Sequence, residues 1–372
     1  MARMAETSGK PDSILLGTSV ALVVLGILIL ASVSAPIAYK KFGSASHYLQ
    51  HQIIVALIPG IILGFIVFKQ KLSSIKKAAL AFFLLNLLAL FMVILPKLIG
   101  VTKGMIRWLD LKFITVQPAE FLKLSVILYW ASWWSSQKDK KIHNKNFNLV
   151  AFLLIMSAVG ALFVLQPDVS TFGIIAALAA IIYFLADSPF WHTILILIIG
   201  GAAFVFLMTG ADYRQNRLSV FLNPATDPMG IGYQSKQALI AIGSGGATGV
   251  GIGLSEQKGF LPEPISDSIF AVWAEETGFL GSFLLIALFV LFLWRGFRIA
   301  YYSKDKFNQL AAAGISSWII LQAFMNITSM TGFMPLTGMP LPFISYGGSA
   351  LISELMGVGL LLNMSKQSKQ SK

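Results

Sequence analysis

The sequence of 372 residues contains no cysteine, which excludes disulfides, thiolate metal sites and cysteine nucleophiles. Charge is scarce as well: Asp, Glu, Lys and Arg make up 12% of the chain, about half the share usual in soluble domains. Acids are the scarcer sign, 16 against 28 Lys and Arg, for a formal charge of +12. The four histidines, His47, His51, His143 and His192, stand near loop ends without the spacing of metal ligands and read as interfacial residues. There is no Walker A sequence, which argues against an ATP-driven pump. Gly249-Val-Gly251-Ile-Gly253 is glycine-rich but lacks the strand, helix and downstream acid of a dinucleotide fold, so it reads as a flexible turn.

What is present is apolar. Hydrophobic residues make up 56% of the chain and the mean hydropathy is +0.77, which excludes an ordinary soluble domain. A helix needs about 20 mainly apolar residues to cross a bilayer, and the chain holds enough for about ten. Membrane β-barrels alternate apolar and polar residues, whereas Leu80–Leu95 and Leu284–Trp294 are apolar on both would-be strand faces. The expected class is therefore an all-α polytopic membrane protein. Its spans are placed at 14–36, 52–68, 78–99, 118–135, 148–165, 171–187, 190–209, 268–294, 308–329 and 344–364. These form a transmembrane domain over 14–364 between tails at 1–13 and 365–372. Ala31-Ser-Val-Ser-Ala35 resembles a signal-peptidase site, but the apolar run before it is too long for a signal peptide, so an uncleaved first helix is expected.

An even number of spans puts both termini on one side. Seventeen of the 28 Lys and Arg, among them Lys69, Lys71, Lys76, Lys77, Arg295, Arg298, Lys304 and Lys306, fall in one set of loops, which the positive-inside rule makes cytoplasmic. The basic excess is a topology signal and needs no nucleic acid to explain it. Eleven of the 16 carboxylates fall in or near the outer half, mixed with Arg107, Arg214, Arg217, Lys236 and Lys258. Topology does not require these charges, so they suggest a polar site there. Between the seventh and eighth helices, residues about 210–267 form one long outer segment, expected to carry short amphipathic helices such as one around Tyr233–Ile242. Gly60-Ile-Ile-Leu-Gly64 has the spacing of close helix contact. Asn326-Ile-Thr328 matches a glycosylation sequon but lies at a membrane helix end, where it has no such meaning.

A charge inside a span is costly and is a functional hypothesis by default. Glu120 and Lys123, three apart, can pair on one helical face as a structural or a functional group. Asp168, after Gln166-Pro167, is either a helix cap or a site residue. Asp267 precedes an apolar run and has the position of an N-cap. Glu275 and Glu276 lie about two turns deeper, where one is expected to face an internal polar cavity; Glu354 raises the same question.

Taken together these segments resemble the SEDS family of polytopic bacterial glycosyltransferases, typified by FtsW, RodA and SpoVE. The match is carried by Arg107-Trp108 with Gln117-Pro-Ala-Glu120-Phe-Leu-Lys123-Leu; by Gln166-Pro-Asp168; and by Tyr213-Arg214 through Arg217, Phe221-Leu-Asn-Pro224, Asp227-Pro228 and Gly232-Tyr233-Gln234. It continues in Phe260-Leu-Pro-Glu263 through Asp267 to Glu275-Glu276, and in Gly338-Met-Pro-Leu-Pro-Phe-Ile-Ser345-Tyr346-Gly-Gly-Ser349. The motif style is nearer FtsW and SpoVE than RodA. Three details depart from the family pattern: Ile265-Ser266 replaces His-Thr, Ser268 replaces Phe, and Val169-Ser-Thr171 replaces Leu-Gly-Thr.

The resemblance implies polymerisation of lipid II into glycan strands at the outer face of the bacterial cytoplasmic membrane, in division, elongation or sporulation. Asp267 is the implied general base toward the acceptor's 4-hydroxyl. Arg107, Lys123, Arg214 and Arg217 are the implied pyrophosphate ligands, and Glu120, Asp168, Glu275, Glu276, Ser345 and Tyr346 the further substrate-binding residues. The implied partner is a class B penicillin-binding protein. The chemistry fits the inventory: an α-linked pyrophosphate giving a β-linked glycan inverts the anomeric centre, so one displacement and one base suffice. The leaving pyrophosphate needs Arg, Lys or a divalent cation such as Mg²⁺ or Mn²⁺ rather than a general acid. Two other readings compete: a flippase for lipid-linked sugars, and an inactive scaffold that positions a penicillin-binding protein.

Overall fold

The computed structural model describes residues 9–100, 107–110, 115–137, 145–210, 212–223, 227 and 229–368. Arg3, Glu6, Lys103, Lys112, Lys138, Asp139, Lys140, Lys141, His143, Pro224, Pro228, Lys369 and Lys372 lie outside the described residues. In chain order come α1 (Ser13–Phe42), α2 (His47–His51), a π-helical turn (Gln52–Leu57) that runs into α3 (Ile58–Lys69), and α4 (Leu72–Leu98). A two-stranded antiparallel ribbon, β1 (Leu109–Asp110) and β2 (Thr115–Val116), sets Leu109 opposite Val116. Then follow α5 (Pro118–Gln137), α6 (Lys145–Leu165), α7 (Val169–Leu185), α8 (Phe190–Thr209), α9 (Asp212–Leu222), α10 (Ile231–Ser244), α11 (Ile269–Tyr301), α12 (Lys306–Met330) and α13 (Gly348–Ser368). Among the described residues eight helical segments are long and apolar enough to cross a membrane. Two expected spans fall short of that standard: α7 has 17 residues, and α5 carries Glu120 and Lys123.

The helix ends follow from local chemistry. Asp12 caps α1, its Oδ1 accepting from the Ile14 and Leu15 amides at 3.0 and 2.9 Å, and its other oxygen ion-pairs with Arg295 of α11. The Asp12 amide also donates to Ser365 Oγ at 2.9 Å, so the start of α1 and the end of α13 meet at one end of the bundle. Gly43 stops α1 with φ 71°, its N–H returning to Tyr39 O. The final helix begins at Gly348 rather than 344. Phe343 stands at φ 64° and spends its amide on the Glu354 carboxylate at 2.8 Å, while Pro340 and Pro342 keep the preceding chain out of a helix.

Packing separates a core from a lipid-facing rim. Most of α12 and α13 is buried, and in α5 Leu122, Ile127 and Trp130 are sealed, whereas α8 leaves Leu197, Ile198, Phe204 and Phe206 exposed. Gly60 and Gly64 fulfil the expected close contact, lying against α13. A methyl on Gly64 would stand 2.7 Å from Leu355 O.

The helix α11 is broken at Gly278, which adopts φ 64°, ψ −160°. Non-helical backbone at membrane depth must find partners, and the turn at 246–251 supplies them. Val250 and Gly251 donate to the carbonyls of Glu275 and Glu276, both at 3.0 Å, while the Phe279 and Leu280 amides donate to Gly246 O at 2.9 Å and Ala247 O at 3.1 Å. A methyl on Gly249 would meet Glu276 O at 2.1 Å. The glycine-rich segment expected as a flexible turn is therefore a fitted one, its glycines needed for backbone-to-backbone approach.

Candidate active site

Asp267 lies in the turn that leads into α11. It is not the N-cap expected from its position. Ser268 occupies that place, and its hydroxyl donates to Pro262 O at 2.8 Å instead of capping the helix. Three successive carbonyls of this turn are gripped from the far end of the chain. Ile265 O accepts from the Tyr346 amide at 2.9 Å, Ser266 O from Ser345 Oγ at 2.6 Å, and Asp267 O from Asn326 Nδ2 at 2.8 Å. The backbone is fixed, and the carboxylate is left to face its surroundings. Burial pushes its pKa up and Glu263 adds to the rise; Arg107 and Arg217 pull it down and Asp168 pushes it up again, leaving it at about 6. Such a carboxyl is ionised at neutral pH yet basic enough to take a proton.

The cations around it converge on one cavity of about 260 Å³, lined by Arg107, Asp168, Arg214, Arg217, Leu336 and Thr337. Asp168 caps α7 through Thr171 (Oγ1 to Oδ2 2.9 Å) and also stands 4.0 Å from Arg107 Nε, so it is both a cap and a site residue. The guanidinium groups are oriented by neutral carbonyls: Arg107 donates to Pro167 O at 3.2 Å, Arg214 to Leu207 O at 2.5 Å and Arg217 to Leu336 O at 3.0 Å. Three arginines and one aspartate line the cavity, so its lining is formally positive, which suits phosphate. A methyl built on Gly338, at φ 67°, would lie 3.4 Å from Asp267 Oδ2 and 4.0 Å from Arg217 Nη2, so this glycine keeps open the space between base and cation. A second, largely apolar cavity of about 490 Å³ between α6, α7 and α8 shares Val169, Gly173 and Phe204 with the first. Among the described residues no three His, Asp or Glu side chains group to hold a metal ion. Mg²⁺ is commonly held by one or two carboxylates with substrate phosphates, and Asp168 is the carboxylate of this cavity's lining that would contribute.

Other expected site residues stand elsewhere. Glu120 and Lys123 pair as their spacing suggests, Nζ to Oε2 2.8 Å, but they are 3% and 0% exposed inside the bundle. The Lys123 ammonium also donates to Gln322 Oε1 at 2.6 Å and lies over the Trp318 ring, so its charge is already engaged. Glu275 and Glu276 are each 2% exposed and are filled with donors. Glu275 accepts from Ser255 Oγ and from the Glu256 and Gln257 amides at 3.1 and 3.3 Å, while Glu276 accepts from Ser32 Oγ at 2.8 Å and pairs with Lys258 at 3.7 Å. Both hold the segment at residues 255–258 to the broken helix. Ser345 and Tyr346 grip the Asp267 turn through contacts of their own; Tyr346 OH also meets His51 Nδ1 at 2.9 Å.

Sequence reasoning missed Asn326, set aside as a meaningless sequon, which is 1% exposed and bonded to Asp267 O and to Met339 O at 2.7 Å. The signal was present as a pair of amides, Gln322 and Asn326, one helical turn apart on a largely apolar helix. His192 was also misjudged as interfacial; it is fully buried, with Nδ1 2.7 Å from Tyr183 OH.

With this geometry in hand, the chain can be compared with known proteins. The cell cycle protein family of FtsW, RodA and SpoVE matches residues 13–370. Stage V sporulation protein E of Bacillus subtilis is 36% identical over 367 residues, covering 98% of this chain and 100% of that protein. A "probable peptidoglycan glycosyltransferase FtsW" of Trichlorobacter lovleyi is 34% identical over 374 residues, covering 97% and 96%. Among solved structures, a chain of a peptidoglycan synthase complex described as coordinating polymerisation and crosslinking superposes with a TM-score of 0.79 at 26% identity, covering 97% and 99%. RodA of Thermus thermophilus, a rod shape determining protein, shares the fold with a TM-score of 0.70 at 24% identity, covering 97% and 98%. By sequence over nearly its whole length, the chain belongs to the FtsW/RodA/SpoVE family.

Proposed function

We propose that this protein is a peptidoglycan glycosyltransferase that polymerises lipid II at the outer face of the bacterial cytoplasmic membrane. The observation that carries the reading is a carboxylate, Asp267, under the charge of Arg107 and Arg217, beside a cavity lined by Arg107, Arg214 and Arg217. In the step, Asp267 takes the proton of the acceptor sugar's 4-hydroxyl as that oxygen forms a bond to the donor's anomeric carbon. The anomeric carbon–oxygen bond to pyrophosphate breaks on the opposite face, and the leaving pyrophosphate carries away the electron pair. Arg107, Arg214 and Arg217 neutralise its growing charge, aided by a divalent cation that arrives with the substrate. No covalent nucleophile is needed, and inversion follows. The apolar cavity between α6, α7 and α8 suits the donor's polyprenyl chain, because it joins the cationic cavity where the pyrophosphate would lie.

The same reading takes α5 and α7 as spans, giving ten, with the 210–267 segment outside and both termini cytoplasmic. The meeting of Asp12 with Ser365 supports placing the termini together. A class B penicillin-binding protein is the proposed partner, on the strength of the likeness to a chain of a synthase complex. The test is polymerisation of labelled lipid II by purified protein in nanodiscs with divalent cation, alone and with the cognate transpeptidase. Polymer from wild type and none from Asp267→Ala is the expected result. Folded wild type that makes no polymer with its partner bound would overturn the reading and turn attention to lipid translocation.

A further inference from the structure

We infer that Asn326 is a positioning residue for Asp267, and that Gln322, one turn earlier on α12, ties the buried Glu120–Lys123 pair to the same piece of backbone. This inference rests on Asp267 being the base. Asn326 has two amide hydrogens and spends both on carbonyls of separate segments: Asp267 O at 2.8 Å in the outer segment and Met339 O at 2.7 Å in the connection between α12 and α13. Gln322 Nε2 donates to the next carbonyl, Pro340 O, at 3.0 Å, and its Oε1 accepts from Lys123 Nζ at 2.6 Å and Trp318 Nε1 at 2.9 Å. Two amides on one face of α12 thus grip the consecutive carbonyls of residues 339 and 340, just after Gly338, the residue that leaves open the space beside Asp267 and Arg217.

A buried amide costs free energy unless hydrogen-bonded, so an apolar residue would be the cheaper filling for a helix that needed only to pack. The placement of these two amides at the Asp267 turn points to a task beyond packing. Lys123, expected to hold substrate, acts in this arrangement through Gln322 on the position of the base. The three anchored carbonyls are not equivalent. Those of Ile265 and Ser266 are held by the neighbours Tyr346 and Ser345, whereas the carbonyl of Asp267 itself depends on Asn326. Loss of that one donor frees the residue that must meet the acceptor hydroxyl, and a misplacement of about 1 Å can lower a rate about 10²-fold.

The test is Asn326→Leu, which keeps the volume and removes both donors without adding charge, measured in full-length protein in nanodiscs with its partner. Two readouts apply: kcat and KM for lipid II, and backbone hydrogen exchange. The expected result is a fall in kcat of about 10²-fold with KM unchanged, and faster exchange confined to residues 263–268 and 339–346. Asn326→Ser, which retains one donor, is expected to fall between the two and carries the decision if the leucine variant does not fold. Wild-type kcat and wild-type exchange in a folded variant would overturn the inference. Exchange is read without turnover, so a protein that makes no polymer at all fails the enzymatic reading while the role of Asn326 is still decided by the exchange pattern.

Discussion

Three acids stand within ten residues, one in the turn before α11 and two in its first half, and they are held in opposite ways. Glu275 and Glu276 are filled with donors: a hydroxyl and two amides on one, a serine and a lysine on the other. Asp267 has its carbonyl anchored, while among the described residues its carboxylate accepts no hydrogen bond and responds to burial first and then to the charges of Glu263, Arg107, Arg217 and Asp168. A carboxylate whose oxygens are filled with protein donors has its lone pairs engaged rather than open to a substrate. Charges without donors leave a carboxylate anionic at neutral pH but able to take a proton. The inventory of donors separates the two kinds of acid.

The largest effect that sharpens this contrast is on rate. Asp267→Asn removes the base at almost constant volume, and a positioned base contributes about 10²–10⁴-fold. Lipid II polymerisation is expected to fall by that factor, while Glu275→Gln loses activity only in proportion to folded protein. Equal losses of specific activity in the two variants would erase the distinction.

Stability gives the next contrast, with opposite signs. The folded pKa of Asp267, about 6, lies above its ordinary 3.8. Below about pH 3 both folded and unfolded chains are protonated and the group has no effect. As pH rises toward 6 only the unfolded chain ionises, so stability is lost, by about 3 kcal/mol once both states are ionised. Asp267→Asn is therefore expected to raise the unfolding midpoint at pH 8 and to match wild type near pH 3. Polymerisation by wild type is expected to rise with pH through about 6. A variant no more stable than wild type at pH 8 would show that the carboxylate is not strained by its site.

Serine 255 probes the other side of the comparison. Ser255→Ala strips a donor from the buried Glu275 carboxylate, and a hydrogen bond to a charged group is worth about 1.5–3 kcal/mol. A loss of that order in thermal unfolding is expected, with no move of the pH limb of activity. A shifted limb would mean that the 246–259 turn speaks to Asp267 through the break at Gly278.

These contrasts also show what a linear reading of the chain can reach. The apolar runs, the Gly60/Gly64 contact and the Glu120–Lys123 pair were legible because each depends on spacing within one segment. So were the acid and arginines of the site, though only through a resemblance. The roles of Glu275, Ser345 and Asn326 were not legible, since each is fixed by a partner far along the chain: Ser345 lies 79 residues from Ser266, and Asn326 lies 59 from Asp267. The break in α11 was hidden for the same reason, because the residues that satisfy it belong to a turn that looks merely flexible.

The smallest predicted change in stability is at Gly338, and it bears directly on where the reaction occurs. Its φ of 67° costs a side chain about 1–2 kcal/mol, so Gly338→Ala is expected to lower stability by no more than that. The new methyl would stand at ordinary contact distance from Asp267 Oδ2, in the space between that oxygen and Arg217. An acceptor hydroxyl that gives its proton to Asp267 while its partner's pyrophosphate meets the arginines has to pass through this space. The alanine variant is therefore expected to lose more activity than Ser255→Ala at equal or smaller cost in stability, measured as initial polymerisation rate per folded protein. Wild-type rate in Gly338→Ala would place the reacting oxygen on another side of the carboxylate and leave Arg107, rather than Arg217, as the cation nearest the leaving group.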